Sequence, residues 1–198
     1  VYHAEFLDGL GLGPEAKIVT HVGGVYGDRE AALGRWVEAY GGLPDAVRRR
    51  LVLENDEVSW PVADTVRINE RTGVPLVFDN LHHAVLNPDG IPEGEALRAC
   101  LATWPAGQMP KIHFSTQRVA EREVTRRLRA TGEKRTTTRA AKAGQHDDFI
   151  DAEQFVAFLR ASEDVRYGVM LEAKQKDVAL LRLREGLARR LPAATRWL

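Results

Sequence analysis

Short runs of β-branched and other apolar residues alternate along this chain with longer amphipathic segments, and the alternation predicts five strands. They fall at about 17–22, 50–55, 74–79, 110–115 and 167–173. Between them lie stretches with apolar residues at helical spacing, DREAALGRWVEAYGGL, EGEALRACLATW, DAEQFVAFLRAS and KDVALLRLREGLARRL, so the order is βαβα. The strand runs are apolar on both faces, as in a parallel sheet covered by helices. Five strands are too few for an eight-stranded barrel, and the chain opens on Val1 in a helix-like segment. The expectation is an α/β fold, a partial TIM-type (β/α) barrel forming a single domain over 1–198. About five βα units are present and about three are expected to precede Val1.

The ends of the apolar runs carry the chemistry. IVTHV contains His21, RLVLE ends on Glu54, PLVFD on Asp79, KIHFS contains His113 and VMLEA contains Glu172. Parallel strands deliver their last residues to one rim, so five such residues in succession predict a metal cluster at one end of the sheet. The intervals of 33 residues from His21 to Glu54 and 25 from there to Asp79 fit one βα unit per ligand. Glu54 and Glu172 need a cation when buried, either a metal or the partner of a buried ion pair. Asp79 also suits a cap on the turn that follows it. Mixed imidazole and carboxylate ligation favours Mn²⁺, Zn²⁺ or Fe²⁺ over Ca²⁺ and Mg²⁺. The Gly23-Gly24 pair reads as a tight turn close to the cluster, since no dinucleotide fingerprint follows it.

With 198 residues, 44% hydrophobic and 28% charged, the chain can bury a core. No apolar stretch approaches the roughly 20 residues that span a bilayer, and the first residues lack a signal-peptide pattern. Cys100 is alone, so an internal disulfide and a cysteine zinc site are excluded, and it reads as a core thiol. A cytoplasmic protein is expected. The net charge is zero, yet residues 118–142 hold nine Lys or Arg against three Glu, which is +6 there and −6 elsewhere. That stretch reads as a basic insertion or flap in which Arg126, Arg127, Arg129 and Arg135 would contact phosphates. Its plain alternative is a solvated helix pair, RVAEREVTRRLRA with i,i+4 ion pairs, followed by a KRTTTR loop. Tyr26 and Trp60, in strand-end loops, stand as DNA-facing or packing aromatics.

Six segments together carry a family likeness: HVGGVYGD at 21–28, LENDE at 53–57, VFDNLHH at 77–83, PKIHFS at 110–115, HDDFID at 146–151 and MLEAKQKDVALL at 170–181. In this set the chain resembles the UV damage endonuclease family, in order and with fitting spacing. The resemblance implies a TIM-type barrel with two or three divalent metal ions, manganese first and zinc or magnesium next, that incises DNA immediately 5′ to a UV lesion. It implies metal ligands at His21, Glu54, Asp79, His82, His113, His146 and Glu172, and a carboxylated lysine at Lys111. The expected partner is duplex DNA carrying UV lesions, with no membrane, and the full-length protein is expected to be a monomer. Spacing places Lys111 and His113 on one face of a strand, which permits the carbamate without requiring it. His83, beside His82, points elsewhere and reads as structural.

Three divalent ions against three carboxylates and a carbamate leave a positive site for a phosphodiester. Two other readings remain open: a sugar isomerase or epimerase on the same barrel, and a DNA-binding fragment without activity.

Overall fold

The structure is a computed structural model that describes residues 1–129 and 131–190. Its elements in order are α1 (Tyr2–Gly9), β1 (Ile18–Thr20), α2 (Arg29–Gly41), α3 (Asp45–Arg48), β2 (Leu51–Glu54), α4 (Val62–Thr72), β3 (Leu76–Asp79) and α5 (Asn80–Val85). Then follow α6 (Glu93–Leu101), β4 (Lys111–Phe114), β5 (Arg122–Arg127), β6 (Lys134–Arg139), α7 (Ala152–Ala161), β7 (Gly168–Leu171) and α8 (Lys176–Arg190). Each predicted strand is present, in a parallel sheet of order β1-β2-β3-β4-β7. This is a curled half-barrel of TIM type, as the alternation of elements implied. Leu191, at the end of the last expected helix, and the remainder of the expected domain to Leu198 lie outside the described residues.

The register explains how the strand ends meet. Thr20 pairs with Leu53, Glu54 with Val77, Asp79 with His113, and His113 with Met170. Following one lumenal row, His21 is level with Glu54, Asp79 lies two residues above it, His113 is level with Asp79, and Glu172 lies two above His113. Every step is even, so all five side chains share a face. The row climbs four residues in four strand-to-strand steps, one per strand, which is the stagger of a barrel with eight strands and a shear of eight.

The opposite face of the sheet supplies the main core. Leu53, Leu76, Phe78, Ile112 and Phe114 are buried against Ile68, Leu97, Phe155, Phe158 and Leu183 from the helices. Cys100, on α6, is fully buried, and burial pushes its thiol up to about 12. Inside the curl, Val52, Val77 and Trp104 fill the lumen below that row of polar side chains. The sheet's lower end is fastened by Arg50, 3% exposed, whose guanidinium bonds Asp8 and the carbonyls of Leu12, Gly13 and Ala16. Among the described residues no helix is long and apolar enough to cross a membrane.

The basic insertion departs from the helix pair that its charge spacing allowed. Residues 122–127 and 134–139 form an antiparallel two-stranded ribbon, with Thr125 and Thr136 hydrogen-bonded across it at 2.7 Å. Val124, Thr125 and the run Thr136 to Thr138 favour extended backbone, and cross-strand pairing outweighs the local i,i+4 ion pairs. Arg118 also leaves the basic surface: it is 6% exposed and paired with Asp148.

Candidate metal centre

Glu54 and Asp79 are the last residues of β2 and β3, His113 is the penultimate residue of β4, and Glu172 follows β7. One donor atom from each lies within 4.8 Å of those of the other three. Ligands of a divalent ion at about 2.0–2.2 Å stand up to roughly 4.4 Å apart, so only small adjustments would close this set around one ion. His113 Nδ1 lies 3.0 Å from Glu54 Oε1 and 3.3 Å from Glu172 Oε1. Asp79 Oδ1 accepts the backbone N–H of His82 at 2.7 Å and so caps α5. Asp79 Oδ2 is buried with no hydrogen-bond partner. A buried carboxylate oxygen without a donor is costly, and a cation is the partner it lacks.

The remaining expected ligands ring this group. His21 Nε2 is 3.6 Å from Glu54 Oε2, and His146 Nε2 is 3.6 Å from Glu172 Oε2. His82 lies on the first turn of α5, with its ring 5.8 Å from that of His21 and 6.0 Å from that of His146. Lys111 faces the lumen two residues below His113, and its Nζ donates to the carbonyl of Glu15 at 2.6 Å. Period two fixes its face but not its depth.

The clustered carboxylates and imidazoles shift one another's protonation. Burial pushes the Glu54 carboxyl up, but hydrogen bonds from His113 and His82 outweigh it and hold the group at about 2. Burial pushes Asp79 up to about 6 against the pull of His82. Burial opposes charge on His82, yet Glu54 and Asp79 raise it to about 9. His113 is likewise raised, burial being outweighed by Glu54, whereas burial lowers His146. Carboxylates that retain protons on neighbouring imidazoles would exchange them for metal ions.

Three contributors escaped the sequence reading. Asn55 exchanges hydrogen bonds with the backbone of Asp79, accepting from its N–H at 2.9 Å and donating to its carbonyl at 3.2 Å, and its own carbonyl lies 2.9 Å from His82 Nδ1. Asn80 makes the same reciprocal pair with the backbone of Ser115. Both extend the sheet's pairing past the strand ends and fix the rim. Glu57 Oε2 lies 3.6 Å from His82 Nε2 and adds a carboxylate beside the outer imidazoles. The signal was a polar residue just after a strand end, where apolar periodicity stops.

Of the aromatics, Trp60 is fully buried and donates Nε1–H to the carbonyl of Gly23 at 2.6 Å, so it packs the loop after β1 and faces no DNA. Tyr26 is 86% exposed in that loop, with φ at 53°, a conformation that glycine adopts more readily. His83 is buried, with Nε2 2.9 Å from the carbonyl of Ile91, in the structural place expected for it. Arg126, Arg127, Arg129 and Arg135 are exposed on the ribbon and its turn, outside the cluster.

Comparison with known proteins assigns the chain to a family. The UV DNA damage endonuclease of Bacillus velezensis is 34% identical over 191 residues, covering 94% of this chain and 53% of that protein. Its namesake from Clostridium perfringens is 29% identical over 184 residues, covering 91% of this chain and 40% of that one. A solved structure described as "Crystal Structure of SacUVDE" superposes with a TM-score of 0.75 at 35% identity, over 95% of this chain and 56% of that one. The chain spans about half the length of the curated relatives it matches. The family model described as UV-endonuclease UvdE matches residues 1–193, and the chain belongs to that family.

Proposed function

We propose that this rim is the metal centre of a DNA repair endonuclease that cuts the phosphodiester 5′ to a UV-damaged base in duplex DNA and leaves a 3′ hydroxyl. The observation that carries the reading is the convergence of Glu54, Asp79, His113 and Glu172, with Asp79 Oδ2 buried and unpartnered. Family membership supports the reaction class, and the donor set supports the metal dependence. Two or three divalent ions, manganese first, would be held by Glu54, Asp79, His113 and Glu172 at the centre and by His21, His82 and His146 around it. When bound, such ions supply an activated water and brace the phosphate and the departing oxygen.

The chain's own residues do the positioning. Glu54 and Glu172 both lie at Nδ1 of His113 and orient its ring, Asn55 holds Asp79 and His82 in place, and the cap on α5 fixes the direction of His82. Lys111 enters the proposal as a carbamate ligand whose formation would release the carbonyl of Glu15. Arg126 and Arg135, exposed on one face of the ribbon, meet the DNA, and the full-length protein acts as a monomer in the cytoplasm.

The test is nicking of supercoiled plasmid by the chain, with and without prior ultraviolet irradiation. With Mn²⁺ the irradiated plasmid should be nicked, the unirradiated one spared and chelator should abolish cutting, with ends that a polymerase extends directly. A metal-loaded protein that leaves irradiated plasmid intact would overturn the reading.

A further inference from the structure

Outside the metal centre, the β5–β6 ribbon holds the chain's least balanced charge. Its register sets Arg126 opposite Arg135 and Arg127 opposite Lys134. Like charges directly across a ladder destabilise it, so these pairs act against the fold of the ribbon itself. Alternation places Val124, Arg126, Arg135, Thr137 and Arg139 on one face. Arg126, Arg135 and Arg139 on that face are exposed and form no ion pair among the described residues. The opposite face carries Arg127 and Lys134 with Glu123 and the Thr125–Thr136 hydrogen bond. One face is thus purely cationic and the other partly compensated.

The root of the ribbon is fixed at the metal rim. Gln117 bridges His146, and the Arg118 backbone N–H donates to the carbonyl of Gln145 at 2.7 Å. Gln117 Nε2 donates to the carbonyl of Lys142 at 2.9 Å, and buried Arg118 pairs with Asp148. The strands therefore rise from beside His146, which is itself 3.6 Å from Glu172.

We infer that the face bearing Arg126, Arg135 and Arg139 grips the phosphate backbone of duplex DNA beside the metal centre. The inference deepens the endonuclease reading, which supplies the identity of the polyanion. Arg126 and Arg135 are cross-strand neighbours about 5 Å apart at Cβ, whereas Arg139 lies about 13 Å further along at about 3.3 Å per residue. One small anion can bridge the first two but cannot reach the third. A duplex, with a charge every 1.7 Å or so of its axis, can neutralise all three, and a two-stranded ribbon fits a major groove about 12 Å wide.

The test is a salt titration of duplex binding for the parent chain, R126A/R135A/R139A and the opposite-face variant R127A/K134A. Each phosphate contact contributes roughly 0.9 to the slope of log affinity against log salt, so the triple variant should lose about 2.7. Between 50 and 200 mM salt the parent should then lose roughly 40-fold more affinity than the triple variant does. Irradiated and intact duplexes should be affected alike, because phosphates carry no lesion information. Metal content should match the parent, the melting temperature should equal or slightly exceed it because a like-charge pair is removed, and R127A/K134A should keep the parent's slope. Equal slopes for parent and triple variant overturn the inference, as does a loss confined to R127A/K134A. So does a slope change seen with single-stranded RNA but not with duplex DNA. Nicking is scored separately: binding that follows the ribbon without nicking leaves the inference standing and removes the endonuclease reading, and nicking with an unchanged slope does the reverse.

Discussion

Asp79 and His82 are joined by a helix cap that uses one oxygen of the carboxylate and leaves the other free: Oδ1 accepts the His82 backbone N–H at 2.7 Å, and Oδ2 is buried without a partner. Capping and metal binding are therefore separable at one side chain. Asn caps a helix about as well as Asp but supplies no anionic oxygen. Asp79→Asn should melt close to the parent and lose bound metal, while Asp79→Ala should lose metal and about 1 kcal/mol of stability as well. Elemental analysis with thermal melts tests this; an Asp79→Asn protein that retains full metal would deny Oδ2 its role.

Glu54 is the hub of the site, with His113 at 3.0 Å, His82 at 3.3 Å and His21 at 3.6 Å from its two oxygens. A ligand that binds the folded chain alone adds about 2.7 kcal/mol at one hundred times its dissociation constant. For a chain of this size that is a rise in melting temperature of about 5–10 °C. Manganese should produce such a rise in the parent and chelator should reverse it, whereas Glu54→Gln should show little response. An equal response in both proteins would place the metal elsewhere.

The strand ends were legible in the sequence because each candidate ligand stands at the end of an apolar run, and two independent periodicities agree there. His21, Glu54, Asp79, His113 and Glu172 needed no more than that to be assigned to one rim. The ribbon was not legible, because RVAEREVTRRLRA satisfies helical charge spacing as well as strand alternation, and the pairing that decides between them comes from residues 134–139. Asn55, Asn80 and Glu57 were missed for a related reason: they act after the strands stop, where no period marks them. Arg118 looked like surface charge, and only the placement of Asp148 shows it to be structural.

Lys111 gives a sharp test because its amine already has a partner, the carbonyl of Glu15 at 2.6 Å. A carbamate would require Nζ to leave that carbonyl and turn toward the rim. If it forms, protein equilibrated with ¹³C-bicarbonate should show a carbamate resonance that is absent from Lys111→Ala, and the variant should bind less metal. Excess carbon dioxide should restore nothing, since no amine remains. Full metal content in Lys111→Ala, with no carbamate signal in the parent, would leave Lys111 as a tie to the loop before β1.

Arg50 governs stability at the end of the sheet away from the candidate metal centre. Its guanidinium, buried to 3% exposure, binds Asp8 and the carbonyls of Leu12, Gly13 and Ala16, and so holds residues 8–16 beneath the first two strands. Arg50→Ala takes the guanidinium donors from Asp8 and from the carbonyls of Leu12 and Ala16, while Gly13 keeps the Ala16 N–H, and should cost on the order of 3 kcal/mol in chemical denaturation. Arg50→Lys should recover less than half of it, because an ammonium cannot spread over four acceptors as the planar fork does. Metal content of the folded variants should equal the parent's, since the ligands belong to the opposite rim. A cost below about 1 kcal/mol for Arg50→Ala would mean that residues 8–16 are held by their own packing, and a parallel loss of metal would mean that the two ends of the sheet are coupled.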